Sequence, residues 1–446
     1  MDKTSEKSPS DTAPLFYYGW VIIFVAFVTL CITFGIWYSY SVFILAVISE
    51  FNWTTASASS VFSIFILSHS TFAMAGGYMQ DRFGPRVVVP AGAVILALSL
   101  VAASWSENLW QFQISYGVCG GAGISLMAFV AHSAFLPKWF ERKRGLALGI
   151  AMSGIGFGML FIVPFAEKLI SVYGWQRAYQ VLAAVVLFVV VPLNLMFGRK
   201  GPEAVFQRPD GDELPDEKIP QKTHRRFLLI VDRSWAEMNW SFKNAFRTRR
   251  FWYLVLAFFS ISFAFQGVLL HAVAAMVDSG MTRSTAARFF GMAGIMGSAG
   301  KIIFGYLSDT LGRERSKLIA DVMAIAGIAC LMLVSVFHVP MALGFALFFG
   351  LGYGAAAPLM PAVAADIFMG KHYGLIFSII ATGGGIGGAI GTYVNGLLKD
   401  MTGTYLVSFS ICCALLTISC ILIFMAAPGK IRQMVKRNVS SQKRPD

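Results

Sequence analysis

The sequence predicts an all-α membrane protein in which twelve transmembrane helices form two six-helix bundles related by a pseudo-two-fold axis. Three observations predict it. Of the 446 residues, 57% are hydrophobic and 13% charged, against roughly 25% charged in an ordinary soluble domain, which leaves too little polar surface to coat a soluble fold of this size. Apolar runs of about 20 residues, the length that spans a bilayer core about 30 Å thick, recur from Trp20 to Met425. A short charged motif also occurs twice, once in each half of the chain.

Taken in order, the N-terminal tail 1–19 is polar from Met1 to Pro14, and the first span, 20–48, is too long for the apolar core of a secretory signal, so no cleaved leader is expected. Spans at 57–79, 87–104, 109–136, 145–171 and 178–198 complete an N-terminal bundle, 20–198. Residues 199–250 are rich in Lys, Arg, Glu, Asp and Pro and form a linker between the halves. Within it, Trp235 to Phe246 alternates well enough to lie on the membrane surface as an amphipathic helix, or to be a plain solvated linker. The C-terminal bundle, 251–427, holds spans at 252–277, 287–308, 318–338, 340–369, 374–398 and 404–427, and the tail is 428–446. Trp20, Trp53, Trp110, Trp139 and Trp252 fall near span ends as interfacial anchors. Cys31, Cys119, Cys330, Cys412, Cys413 and Cys420 all lie inside spans as small apolar residues. Their spacing offers neither a disulfide framework nor a zinc site, and no metal or cofactor is expected.

The formal charge of +13 resembles a phosphate-binding footprint, but its location argues against nucleic acid. With the N-terminus cytoplasmic, the loops on that side carry 30 of the 36 Lys and Arg residues. The opposite side keeps Lys168, Arg177, Arg283, Arg288 and Lys399. This is the positive-inside pattern, which places both termini in the cytoplasm and the chain as a multi-pass protein of the plasma (cell inner) membrane. The one cation left within a span is Lys301.

The halves repeat one another. Gly77-Tyr78-Met79-Gln80-Asp81-Arg82-Phe83-Gly84-Pro85-Arg86 is echoed by Gly305-Tyr306-Leu307-Ser308-Asp309-Thr310-Leu311-Gly312-Arg313 at an offset of 228 (309 − 81). Arg144-Gly145 and the helix through Gly154 are likewise echoed by Tyr373-Gly374 and Gly383-Gly384-Gly385 at 229 (374 − 145). Two matches at nearly one offset imply a duplicated six-helix unit, as expected of a carrier whose site lies between its halves. Gly77 and Gly305 let helices approach closely, and Gly84 and Gly312 permit turns closed to most residues. Asp81, Arg82, Arg86, Asp309 and Arg313 supply charges that pair with one another or with a helix end, a latch that breaks when the halves rock. A charged turn facing the cytoplasm is the plainer account.

The stretch Gly77 to Arg86 fits G-x-x-x-D-R-x-G-x-R, and through it the chain resembles the major facilitator superfamily along nearly its whole length. A sharper resemblance follows the fourth span. Trp139-Phe140-Glu141-Arg142-Lys143-Arg144-Gly145-Leu146-Ala147-Leu148-Gly149-Ile150-Ala151-Met152-Ser153-Gly154 is similar to the fifth-helix signature of monocarboxylate transporters, Y-F-x-K-R-R-x-L-A-x-G-x-A-x-A-G. That family's first-helix signature is matched only at Gly19-Trp20, with Tyr17 where its acidic residue stands. Bacterial relatives with such an entry include oxalate and formate exchangers, so that branch stays open. Ser153, Gly154, Gly156 and Gly158 line one helix with small side chains, as Gly383, Gly384, Gly385, Gly387, Gly388 and Gly391 line another. Such faces allow close, sliding contact.

Ionisable side chains at membrane depth are His69, His132, His271 and Lys301. Each is a functional candidate, because Lys at a helix centre costs about 2.5–3.5 kcal/mol even on the lenient scale. Lys301 precedes Asp309 by eight residues, about 12 Å along a helix, which sets it near the midplane. It shares its face with Gly294, Gly297 and Gly305, a face suited to a helix interface or cavity wall; snorkelling to the interface is the alternative. The monocarboxylate transporter pattern implies an Asp and an Arg four residues apart on this helix. Lys301 falls at the Arg position and Gly297 at the Asp position, so the cation is retained in altered form and the acid is missing. The resemblance also implies that Tyr38, Tyr40, Tyr116, His271 and Tyr353 lie on cavity-lining helices, where Tyr38, Tyr116, His271 and Tyr353 would complete a carboxylate site. Packing is the plainer account of each tyrosine, and interhelical hydrogen bonding that of His69 and His132.

The expected function is secondary transport of a small organic anion by alternating access. A monocarboxylate of the lactate or pyruvate kind with proton symport is the first reading, and organic anion exchange of the oxalate/formate type the alternative. Protons and the lipid bilayer are the other partners, no nucleic acid is expected, and the unit of function is a monomer. The glycine runs follow no strand and precede no Lys-Ser/Thr, so they form no phosphate loop. The scattered membrane histidines offer no matched set for an intramembrane enzyme.

Overall fold

Apolar runs broken by small caps and turns fold as long helices. The structure, a computed structural model, describes residues 17–128, 132, 136, 138–140, 144–205, 207–211, 227–236, 238, 240–370 and 372–435. The first bundle contains α1 (Gly19–Phe51), α2 (Thr55–Phe83), α3 (Pro85–Ser104) and α4, whose pieces Leu109–Phe112, Gln113–Gly120 and Gly121–Met127 are joined through a π-helical turn. Arg144–Val185 is interrupted at Gly174 (φ 82°, ψ 162°) and so makes two crossings. These are α5 (144–173) and α6 (175–197), the latter completed by Val186–Val190 and Val191–Phe197. The second bundle contains α7 (Arg249–Asp278), α8 (Arg283–Leu311) and α9 (Arg313–Met332). It continues through α10, which follows a break at Phe337 and His338 and runs on through Phe345–Phe349 and Gly350–Phe368, to α11 (Tyr373–Thr402) and α12 (Leu406–Ala426). Helices α2, α7 and α8 each open on a threonine, Thr54, Thr248 or Thr282, whose hydroxyl accepts a backbone N–H three residues on and satisfies an otherwise unpaired donor.

Nine helices among the described residues are long and apolar enough to cross a membrane. One of them, Gly145–Phe197, is the α5–α6 pair. With α9, charged in its first turns, and α4, described to Met127, the crossings number twelve.

The duplication seen in the motifs extends to the backbone. Gly84 (φ 77°, ψ 172°) and Gly312 (φ 93°, ψ 162°) share a conformation that disfavours any side chain. Other positive-φ positions pair at the same spacing, Asn52 with Gly280 (280 − 52 = 228) and Gly174 with Gly403 (403 − 174 = 229). Even the π-helical turns correspond, Gln113–Gly120 in α4 and Phe345–Phe349 in α10.

Two expectations about the linker and ends are corrected. No continuous amphipathic helix runs from Trp235 to Phe246; short turns Arg233–Ala236 and Phe242–Phe246 flank a segment in which Trp240 is buried. Trp235 Nε1 donates to Ile367 O at 2.9 Å, Trp240 packs edge-on against Phe368, and Arg250 stacks over Trp235. The tryptophans have found the end of α10, so this stretch docks on protein. The otherwise helical chain also contains a two-stranded antiparallel ribbon, β1 (Phe227–Ile230) with β2 (Arg432–Val435), too short to leave a period in the sequence. Trp139 departs from the interfacial role: it is buried, and its carbonyl accepts the Tyr17 hydroxyl. Trp20, Trp110 and Trp252 are exposed as expected of anchors.

One face of the molecule carries the turns at Gly84 and Gly312 and is called here the basic face. The opposite, far face carries those at Asn52, Gly174, Gly280 and Gly403. The bundles meet along two seams, α2 with α11 and α5 with α8. From the far face inward, Asp400 accepts from Thr55 N at 2.9 Å and Ala56 N at 2.7 Å, Ser59 meets His271 at 3.4 Å, and Ser63 meets Thr392 at 2.7 Å. On the other seam Gly156 touches Gly294, and Ser298 Oγ donates to Ser153 O at 3.3 Å. Closer to the basic face, Gly145 and Gly149 on α5 and Gly374 on α11 look onto open space. Among the described residues, the bundles are closed at the far face and parted at the basic face.

Candidate substrate site

The parting of the bundles leaves Lys301 in the position its glycine row predicts. Ser298, one turn before it, touches α5, while Gly297 and Gly300 touch α10 at Tyr353 and Leu351. The exposed side chains Ile302, Ile303 and Tyr306 occupy the opposite side of α8. Helix periodicity therefore aims Lys301 between α5 and α10 and away from the surface that faces lipid. Lys301 is half-buried, and neither an ion pair nor a hydrogen bond to its ammonium is found among the described residues.

Two of the predicted tyrosines meet across the bundles: the Tyr38 and Tyr353 hydroxyls lie 2.5 Å apart. Tyr353 also touches Gly297, so this bridge lies one helical turn from Lys301. Tyr116 and His271 are placed elsewhere. Tyr116 is buried in the aromatic core of the first bundle, with ring centroids 4.9 Å from Tyr40 and 5.2 Å from Phe65. His271 is fully buried in the α2–α11 seam towards the far face, where Nε2 lies 3.1 Å from Thr392 O and Nδ1 lies 3.4 Å from the Tyr405 hydroxyl.

The other membrane histidines differ from one another. His132 Nδ1 lies 3.2 Å from Ala128 O, four residues earlier. His69, expected to be an interhelical hydrogen bonder, is instead half-buried, with its ring edge-on to Trp37 at 4.9 Å and its Nδ1 without a partner among the described residues. Helix α11 occupies the α2 face bearing Ser59, Ser63, Ile66 and Ser70, and His69 lies off that face.

The duplicated motif has an ordered second copy. Arg313 donates to Asp309 Oδ1 and Asp366 Oδ2, each at 2.9 Å, and to Ser308 Oγ at 2.5 Å, tying the Gly312 turn to the end of α10. Gly305 faces Pro358. In the first copy, Gly84 makes the equivalent turn, Arg82 lies over the Phe83 ring at 5.3 Å, and Arg86 is exposed at the start of α3. Gly77 is half-buried on α2, and the Asp81 side chain lies outside the described residues.

Sequence reasoning missed three acidic groups. Asp366 completes the Arg313 network, and Asp400 joins the bundles. Glu167 is buried on α5 with Oε2 unpartnered among the described residues. The neighbouring Lys168 made Glu167 look like the end of a span, but its spacing of seven from Leu160 and fourteen from Ser153 puts it on the α5 face that meets α8. Lys317 and Asp321 form a buried pair along α9, readable as an i, i+4 spacing.

Comparison with known proteins identifies the architecture. A family model described as Major Facilitator Superfamily matches residues 25–356. The chain is 26% identical over 404 residues to monocarboxylate transporter 13 of Bos taurus, covering 90% of this chain and 87% of that one. It is 23% identical over 391 residues to the oxalate:formate antiporter of Oxalobacter formigenes, covering 84% and 85%. Among solved structures, that of a D-xylose-proton symporter superposes with a TM-score of 0.68 at 16% identity, over 93% of this chain and 99% of that one, a likeness of fold.

Proposed function

The chain belongs to the major facilitator superfamily, and on that premise we propose that it is a carrier of small organic anions, a monocarboxylate of the lactate or pyruvate kind moved with a proton. The observation that carries this reading is Lys301, an ammonium group near mid-membrane, aimed between the bundles and without a partner among the described residues. A lone charge at that depth costs about 2.5–3.5 kcal/mol. A bound carboxylate paired with the ammonium offsets that cost and lets the bundles close over the loaded site. One cation suits one carboxylate, and the Tyr38–Tyr353 hydroxyls one turn away supply donors for its second oxygen.

Orientation follows from the charge asymmetry. With the basic face and both termini in the cytoplasm of a plasma-membrane protein, the parted bundles form an inward-open state. The relatives support the substrate class, because a monocarboxylate transporter and an oxalate:formate antiporter both bear names that denote organic acid anions. The test is counterflow in proteoliposomes with a panel of labelled carboxylates, sugars and cations at two pH values. Carboxylates should exchange, and Lys301→Ala should lower the rate at least about tenfold, as loss of a charge-assisted contact of about 1.5–3 kcal/mol implies. Uptake of sugars or cations alone, or an unchanged rate in Lys301→Ala, would overturn the reading.

A further inference from the structure

A proton-coupled carrier needs a titratable group that water reaches from each side in turn, and Gly297 occupies the place where an acid would stand beside Lys301. The duplication points to a substitute. Position 297 lies 228 residues after position 69, the offset of the repeated motif, so His69 on α2 is the counterpart of Gly297 on α8. It lies 14 residues after Thr55 and 15 before Gly84, at the middle of α2.

The three membrane histidines can be separated by their surroundings. His271 lies within hydrogen-bond distance of Thr392 O and the Tyr405 hydroxyl, and His132 of Ala128 O. His69 has its ring perpendicular to that of Trp37 and its buried Nδ1 without a hydrogen-bond partner among the described residues, and the residue is half-buried. Trp37 precedes Tyr38, which bonds Tyr353, which touches Gly297 one turn from Lys301. A continuous run of contacts thus joins His69 to the region of the proposed anion site. Few other ionisable groups lie on the elements around it. Helix α1 presents Tyr38 and Tyr40, and α4 presents Tyr116 and Cys119. Residues 374–398 of α11 contain no Asp, Glu, Lys, Arg or His, α2 has none besides His69 before Asp81, and Lys301 is the one charge on α8 between Arg288 and Asp309.

We propose that His69 is the proton-binding site of the transport cycle. This rests on the anion-carrier reading above. Its imidazole takes a proton from water on the side to which the bundles are open and returns it to water on the other side. The charges then balance. The empty site holds one positive charge, on Lys301; the loaded site holds the Lys301 ammonium, one carboxylate and the His69 imidazolium, again one net positive charge. Both crossings carry the same charge, so net transport follows the pH gradient and is indifferent to membrane potential.

The test compares wild type with His69→Gln in proteoliposomes by three measurements: lactate counterflow at equal pH, uptake driven by a pH gradient, and uptake driven by a potassium–valinomycin potential. The variant should keep counterflow within about twofold and lose gradient-driven uptake at least tenfold. Its net flux should become sensitive to potential, because the anion now crosses without its proton. Gradient-driven uptake with the wild-type pH profile would overturn the assignment. If His69→Gln carries neither flux, His69→Asp decides: gradient-driven uptake displaced to lower pH supports the proposal, and the wild-type profile or no uptake overturns it. Lys301→Arg tests the competing proton carrier, since guanidinium does not deprotonate. Residual uptake that still follows the pH gradient excludes Lys301, and uptake that no longer follows it overturns the role of His69. Failure of the wild type to exchange any carboxylate would instead sink the anion-carrier reading itself.

Discussion

Along α2 and α11 the bundles are joined by directional polar contacts, Asp400 to the first amides of α2, Ser59 to His271 and Ser63 to Thr392. Along α5 and α8 they are joined mainly by small and flexible residues, with Gly156 against Gly294, Gly294 against Met159 and one long hydrogen bond, Ser298 Oγ to Ser153 O. Hydrogen bonds hold one register and fail if either helix slides, whereas a glycine face tolerates sliding and fails if anything is inserted. The seams are therefore a hinge-like pair, one specifying where closure stops and the other allowing it to happen.

The largest effect should come from filling the smooth seam. A Cβ at Gly156 would lie 2.3 Å from Gly294 O. Overpacking of about 1–3 kcal/mol predicts that Gly156→Leu slows counterflow about five- to hundredfold, and an unchanged rate would show that this contact is not part of the cycle. Second is Glu167, the one carboxylate buried on that seam among the described residues. Its unpartnered oxygen opposes closure by about 1–3 kcal/mol. Glu167→Gln should favour the far-closed form, read as a shorter distance between spin labels on the Asn52 and Gly280 turns; a longer distance would mean the carboxylate stabilises the seam. The smallest effect belongs to the polar seam's outer end. Asp400 is exposed, so Asp400→Ala should weaken closure by only about 0.2–1 kcal/mol. A maleimide should then reach a cysteine placed at Ser63 a few times faster, and no change in that rate would remove Asp400 from the latch.

Much of this was legible in the sequence because hydropathy and charge act along the chain. The spans, the repeat and the glycine faces follow from local composition, and Lys301 stood out because an isolated cation in an apolar run has few explanations. What the sequence hid depends on which faces meet. Glu167 lies beside Lys168 near the end of a span, and nothing local in the sequence shows that its face meets α8. Tyr116 and Tyr353 are equally apolar in context, yet one is stacked within a bundle and the other crosses between bundles. The sequence set His271 at the site and His69 in an interhelical hydrogen bond, yet it is His271 that bonds between helices, because the partners come from elements distant in the chain.

The paired π-helical turns bear on how the tyrosine bridge is aimed. Such a turn inserts one residue into a helix, so every side chain beyond it is rotated by about 100° relative to an uninterrupted helix. Tyr353 follows Phe345–Phe349 in α10. Deleting a single residue from that turn would leave composition and hydropathy almost untouched, yet it would swing the Tyr353 hydroxyl out of phase with Tyr38, silencing the centre of the molecule from the turn that precedes it.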